Sequence, residues 1–370
     1  ASKQDFRLDH DCHAMALYQG KILCGSIDGR IFIASDNDTN FSSMGIAPTR
    51  SMSQFNASNR MLLCDTNNNS LRVMYVPGVK TRADMEEYNI TAKSLLSIAA
   101  ESDGGWGITS FAISNKYMSY SCLDSLFLLD YQVVNGENVQ IVKTIDMQKE
   151  YKLQPGYHVA FATVEKKRKS KKNKDSSKQQ QEENDENANT AVEYLIVVSR
   201  ENVIQIFNLN TMQLENCVQL FNEGDVVKSA KKQVTIESYF KGRIHCLSIQ
   251  RHVLIVGTTM AVYAFDLRDA SGIQGSKPNW MHSTSQDGKF NIPVGMHFTS
   301  SGRDFYLQCS NAMLYLCSIN FEKAKPKVEF KKSVNHQLKT VNFVLPVYDG
   351  KSSFIGANGD ECKKFMVKSS

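Results

Sequence analysis

The chain has 370 residues, 42% of them hydrophobic, with a formal net charge of +5 at pH 7. That apolar share can fill a sizeable core, and so mild a charge, much of it in one basic run, argues little for nucleic-acid binding. No apolar run is long enough to cross a bilayer as a helix, so membrane insertion is not expected, and the opening ASKQDFRLDHD lacks the apolar stretch of a secretory signal.

From the N-terminus, QDFRLD shows an alternating apolar pattern, and then a phrase begins that recurs seven times: strand, turn, strand, polar turn, strand. Its clearest copy is HAMALYQGKILCGSIDGRIFIAS, from His13 to Ser35. The middle strands are KILCGSI, RMLLCDT, KYMSYSC, EYLIVVS, HVLIVGT, DFYLQCS and SSFIGAN, short and rich in β-branched or aromatic residues. The strands after them are RIFIAS, LRVMYV, LFLLDY, VIQIFNL, AVYAFDL, LYLCSI and KKFMVK. Turn residues join the pairs: Ile27-Asp28-Gly29, Asn67-Asn68-Asn69, Leu123-Asp124-Ser125 and Gly359-Asp360. Each leading strand carries apolar residues at i, i+3 and i+5, as in Cys12, Met15, Leu17; Ile108, Phe111, Ile113; and Ile244, Leu247, Ile249. One such unit cannot bury its own faces, so repetition implies that neighbours stack and share a core.

Between the repeats, KTRADMEEYNITAKSLLSIAAES (Lys80 to Ser102) has helix-friendly composition but broken periodicity, and reads as a loop with one helical turn. NVQIVKTIDM and KPKVEFKKS read as outer fourth strands. The last residues of the leading strands are taken as Leu17, Ala57, Ile113, Thr163, Ile249, Phe298 and Pro346. Most of the gaps between them lie near the roughly 40–50 residues expected of a propeller blade. The long gap, from Thr163 to Ile249, holds the insert Glu165 to Ala191, basic, then Gln-rich, then acidic. It has nothing to bury and is expected to be a disordered loop within the fourth repeat. Three long connections, Pro77 to Asp103, Gly224 to Gly242 and Ala270 to Asn291, are candidate docking loops. The last carries Trp280, Met281 and Phe290, which serve either a partner or packing on the chain's own flank.

The final repeat ends one strand short. The expectation is that Phe6 and Leu8 supply its outer strand, which joins the two chain ends in one sheet and seals a ring. A frayed N-terminal tail is the alternative.

These residues resemble a WD-repeat β-propeller with eroded motifs. ILCGSIDGRIFIAS and VLIVGTTMAVYAFDLRD carry the resemblance, with Asp28 and Gly29 in the usual turn. The Trp-Asp dipeptide is replaced by Phe265-Asp266, Leu129-Asp130 and Phe207-Asn208, and Gly-His dipeptides are absent. The fold expected is therefore all-β: one β-propeller spanning residues 1–370, with seven four-stranded blades, the ring closed by the N-terminal strand. The resemblance implies a ring of partner-facing residues at the channel mouth, one per leading strand: His13, Ser53, Thr109, Val159, His245, Val294 and Asn342.

Other chemistry is thinly supported. His10 and His13 point apart on a strand, and no Cys-x-x-Cys pair accompanies them, so no metal site is expected. No nucleophile elbow, zinc-protease motif or phosphate-cradling loop occurs, so no catalysis, cofactor or small-molecule substrate is expected. The nine cysteines lack paired spacing, and Cys24, Cys64, Cys122, Cys246, Cys309 and Cys317 lie in apolar strands, which points to a reducing compartment, cytoplasm or nucleus. The run Lys166, Lys167, Arg168, Lys169, Lys171, Lys172 and Lys174 matches a nuclear-import signal in composition, and equally a solvated loop. The leading expectation is a non-catalytic protein–protein interaction scaffold, one subunit of a larger assembly. The alternatives are a substrate receptor of a cullin-RING ubiquitin ligase, on Phe265-Asp266-Leu267-Arg268; a binder of RNA or tubulin through the basic run; and an enzyme with a loop-built site.

Overall fold

The computed structural model describes residues 3–6, 12–18, 21–26, 30–35, 42–46, 52–54, 61–65, 70–75, 93–99, 107–134, 138–166, 190–220, 226–228, 233–235, 243–259, 261–275, 277–283, 285–286, 289–299, 302–310, 313–321, 326–334, 343–347, 353–358 and 361–366. In chain order, β1 (Lys3–Phe6) is followed by β2 (Cys12–Tyr18), β3 (Lys21–Ser26), β4 (Arg30–Ser35) and β5 (Ser42–Ile46). Then come β6 (Met52–Gln54), β7 (Met61–Asp65), β8 (Ser70–Tyr75) and β9 (Lys93–Ala99). The next four are β10 (Ser110–Ile113), β11 (Tyr117–Ser121), β12 (Leu126–Val134) and β13 (Asn138–Asp146), with a short helix α1 (Met147–Tyr151) after them. Strands β14 (Gly156–Lys166), β15 (Thr190–Ser199), β16 (Val203–Asn208) and β17 (Gln213–Gln219) precede a hairpin of β18 (Val226–Lys228) and β19 (Gln233–Thr235). Next are β20 (Ile244–Gln250), β21 (Val253–Thr258), β22 (Ala261–Asp266), a 3-10 turn (Leu267–Gly272) and β23 (Trp280–Ser283). A hairpin of β24 (Ser285–Gln286) and β25 (Lys289–Phe290) leads to β26 (Pro293–Phe298), β27 (Asp304–Cys309), β28 (Leu314–Asn320) and β29 (Lys327–Val334). The last are β30 (Phe343–Val347), β31 (Ser353–Asn358) and β32 (Glu361–Met366).

Among the described residues these strands form seven four-stranded antiparallel sheets. Six are consecutive meanders; the seventh runs β1-β32-β31-β30, with Lys3 opposite Phe365 and Phe6 opposite Cys362. Leu8 lies outside the described residues. The leading strands touch in sequence: β2 beside β6, β6 beside β10, β10 beside β14, β14 beside β20, β20 beside β26, β26 beside β30, and β30 beside β2.

The core lies between sheets. In β15, Leu195 and Val197 pack toward the β10–β13 sheet, with Leu126, Leu128 and Met147. The alternate residues Tyr194, Ile196 and Val198 pack toward the β20–β23 sheet, with Leu254, Val256 and Tyr263. Likewise Val253 and Ile255 of β21 face Phe305 and Leu307 of the sheet beyond. A strand buried on both faces has no polar side to show, which is why EYLIVVS and HVLIVGT read as unbroken apolar runs.

The i, i+3, i+5 spacing has a structural cause. Pairing slips by one residue between Cys12 and Ala14, between Ile244 and Cys246, and between Pro293 and Gly295. A bulge adds one residue near the start of the strand, so the first apolar residue and the third after it fall on the same face.

Three expectations need correction. The segment from Lys80 to Ser102 holds strand β9, paired along β8 from Ser70–Ala99 to Tyr75–Lys93. Its Leu, Ala and Lys content favours helix, but the open edge of β8 offers a full ladder of main-chain partners, and that outweighs propensity. The stretch from Ala270 to Asn291 is not a bare loop: it contains β23, and the Trp280 ring stacks on Phe330 of β29 at 6.0 Å. Trp280 therefore serves the chain's own flank, while the Met281 and Phe290 side chains lie outside the described residues. The boundaries of the insert also move inward, because Glu165 pairs with Ala191 and Lys166 with Thr190. Residues 167–189, with all of the basic run beyond Lys166, lie outside the described residues.

Candidate interaction surface at the bulged strand ends

The bulges of the leading strands collect at one end of the sheets. In β2, β20 and β26 the extra residue is His13, His245 and Val294, all three expected at the mouth. Thr109 immediately precedes β10 and donates from its hydroxyl to the Ser121 carbonyl at 2.9 Å and the Gly156 carbonyl at 2.7 Å. Ser53 instead lies in regular register opposite Leu63, and Asn342 lies outside the described residues.

Val159 is misplaced. It is buried in the core between the third and fourth sheets, and the bulged residue of β14 is Tyr157, between Gly156 and His158. The sequence hid this register because Gly156 stands where the other leading strands have Cys12, Ile244 or Pro293, so the apolar signal is missing. The glycine is required there: a Cβ would sit 1.9 Å from the Val198 carbonyl oxygen. Its N–H donates to Ser121 Oγ at 2.8 Å. Together with Thr109 this latches the third sheet to the fourth, and Ile244 N–H donating to Asn202 Oδ1 at 3.2 Å latches the fourth to the fifth.

The rim so fixed exposes Tyr157 and Val294, 38% and 43% accessible. The Arg243 guanidinium lies over the Tyr157 ring, 5.6 Å from its centroid. His245 Nε2 is 2.7 Å from Thr259 Oγ1. His158 stays neutral down to about 4, through burial first, then the charges of His245 and Arg243, with a hydrogen bond to the Ile244 main chain opposing. His245 is lowered by burial and by Arg243. Tyr157, His158 and Arg243 were not foreseen; aligning strands on the bulge rather than on apolar positions would have found Tyr157.

At the opposite end of the sheets, Asp266 accepts from Arg268 N–H at 3.0 Å and from Nε at 2.9 Å, and so starts the 3-10 turn. Asn208 fills the same place after β16, its Oδ1 accepting from the Asn210 and Thr211 N–H groups at 3.0 and 3.2 Å. Among the described residues no group of His, Cys, Asp or Glu is arranged to hold a metal, and no helix is long and apolar enough to cross a membrane. Cys246, Cys309 and Cys317 are buried free thiols, and Cys217 is an exposed one. Burial, with the neighbouring Cys309, pushes Cys246 up to about 12.

No family model matches the sequence, and no curated protein does. Solved structures do match, over the whole chain. The β-propeller domain of Myceliophteria thermophila Cps50 (Swd1) aligns with 99% of this chain and 100% of its own, at 9% identity and TM-score 0.58. The WD40 repeats of RRP9 align with 99% and 97%, at 8% identity and TM-score 0.59.

The chain folds as a β-propeller, the fold of those WD40 structures. At such identities the shared feature is strand packing, not side-chain chemistry. In the third strands Phe265, Leu129 and Phe207 precede Asp266, Asp130 and Asn208, and all three are fully or nearly fully buried. Arg268, the residue on which the ubiquitin-ligase resemblance rests, is clasped by Asp266 within its own turn.

Proposed function

We propose that this propeller is a non-catalytic protein-interaction scaffold, a subunit of a larger assembly, with seven blades in a single ring closed by β1. The unbroken order of contacts among leading strands and the β1–β32 pairing support the ring. The observation that carries the scaffold reading is the rim itself: large exposed side chains, Tyr157 and Val294, held on a main chain that inter-sheet hydrogen bonds fix in place. Exposed anchors on a stiff frame lose little conformational entropy when a partner covers them. The chemistry at the rim suits binding, since the His245 ring meets a threonine hydroxyl and, among the described residues, no carboxylate. Buried free thiols support a reducing compartment, cytoplasm or nucleus.

The test is affinity purification of the full chain from its native source, beside the double variant Tyr157→Ala/Val294→Ala. The wild type should bring down stoichiometric protein partners, and the double variant should lose at least one while melting at an unchanged temperature. Recovery of the wild-type chain alone would overturn the reading.

A further inference from the structure

We infer that the rim between the fourth and fifth sheets, at Tyr157, Arg243 and His245, anchors a carboxylate-bearing segment of a protein partner. This rests on the scaffold reading above and names the chemistry of what is held.

Several exposed cations of the described surface sit beside acids: Lys116 with Asp130 at 4.0 Å, Lys149 with Asp146 at 3.0 Å, Lys327 with Glu329 at 3.4 Å, Lys331 with Asp304 at 2.8 Å, and Arg268 with Asp266. Arg243 has an aromatic face instead, and no carboxylate among the described residues forms an ion pair with it. The other arginine on a ring, Arg251 over Phe321 at 4.9 Å, flanks His252, which also feels the Asp266 carboxylate. Near Arg243 the neighbours are His158 and His245, both shifted toward the neutral form by burial first and then by the arginine's charge, so Arg243 is the charge that an anion placed there would meet.

Geometry narrows the anion. Arg243 lies over the Tyr157 ring and is exposed, so its guanidinium N–H groups can still meet a ligand. Those groups match the two oxygens of a carboxylate in a fork. Val294, on the next sheet round, offers apolar contact to a neighbouring residue of the same segment. A nucleic acid would need a stripe of permanent cations along its backbone, whereas the described residues beside Tyr157 and His245 supply one, Arg243.

The experiment uses the full chain and a fluorescein-labelled oligo-glutamate peptide, followed by anisotropy at low salt. An oligo-glutamine peptide of the same length and an oligo-uridylate RNA serve as comparisons. The glutamate peptide should bind, the glutamine peptide should not, and Arg243→Ala should weaken glutamate binding at least tenfold. Arg243 is exposed, so the variant should unfold as the wild type does. Equal binding of the two peptides, an affinity unmoved by Arg243→Ala, or tighter binding of the RNA would each overturn the inference. Arg243→Ala chain that still brings down its partners from the native source would sink this inference and leave the scaffold reading standing. Wild-type chain that brings down none would sink the scaffold reading itself.

Discussion

At the scale of single residues, two half-buried imidazoles make stability depend on acid. An imidazole in the unfolded chain titrates near 6.5, while His158 and His297 stay neutral in the fold down to about 4. For His297 the cause is burial, opposed by its hydrogen bond with Gln308 Oε1 at 3.1 Å. Between those values the unfolded state binds protons that the native state refuses, so stability is fullest above about 6.5 and is lost as pH falls toward 4. Thermal melts across that window should show a falling midpoint, and His297→Gln should flatten the fall. A midpoint that stays level through the window in the wild type would contradict the placement of both rings. Single residues also account for what the sequence concealed. Gly156 is an absence of signal at the spot where the register slips, and only the 1.9 Å approach of the Val198 carbonyl explains why nothing larger can stand there.

At the scale of elements, the central strands are buried from both sides, and this has a consequence that a one-faced sheet would not share. Leu195 and Ile196 are adjacent in β15, point to opposite neighbouring sheets, and are both fully buried. Leu195→Ala and Ile196→Ala should each destabilise the fold by about 2–5 kcal/mol, read by denaturant unfolding. A large loss for only one of them would mean that one face of the sheet is wet. Second and third strands were legible from composition because burial on both faces leaves only apolar choices. Fourth strands were legible only where polar alternation was clean, as in β13 and β29. β9 was not, since its residues favour helix and its ladder with β8 exists only in the folded sheet. The bulges left a trace, the i, i+3, i+5 spacing, but the trace identifies a bulge only once pairing is known.

At the scale of the whole molecule, β1 lies at the outer edge of the sheet formed by the last three strands. Pairing between segments so far apart in sequence ties the chain's beginning to its end, so its loss should be felt beyond one strand. Removing residues 1–8 should lower the thermal midpoint and broaden the transition as the last sheet loosens from its neighbours. An unchanged, equally sharp melt would argue against a ring sealed by β1. The two ends of the sheets also hold different features. The rim of bulges lies at the start of β14 and the insert leaves from its other end, roughly 30 Å away for an eleven-residue strand. Partner contact at the rim and any role of the insert can thus be varied independently.

The repeat and its second and third strands were determined by the sequence itself. They follow from local rules: apolar runs bury, turn residues turn, and a unit too thin to stay dry must stack. Which residues share the rim was decided only by the tertiary structure. Tyr157, Arg243 and His245 come from two different sheets, and they meet because a one-residue slip in each leading strand and the packing of β14 beside β20 carry them to the same place. No local pattern encodes that meeting, since it depends on register, and register is settled by the partner strand.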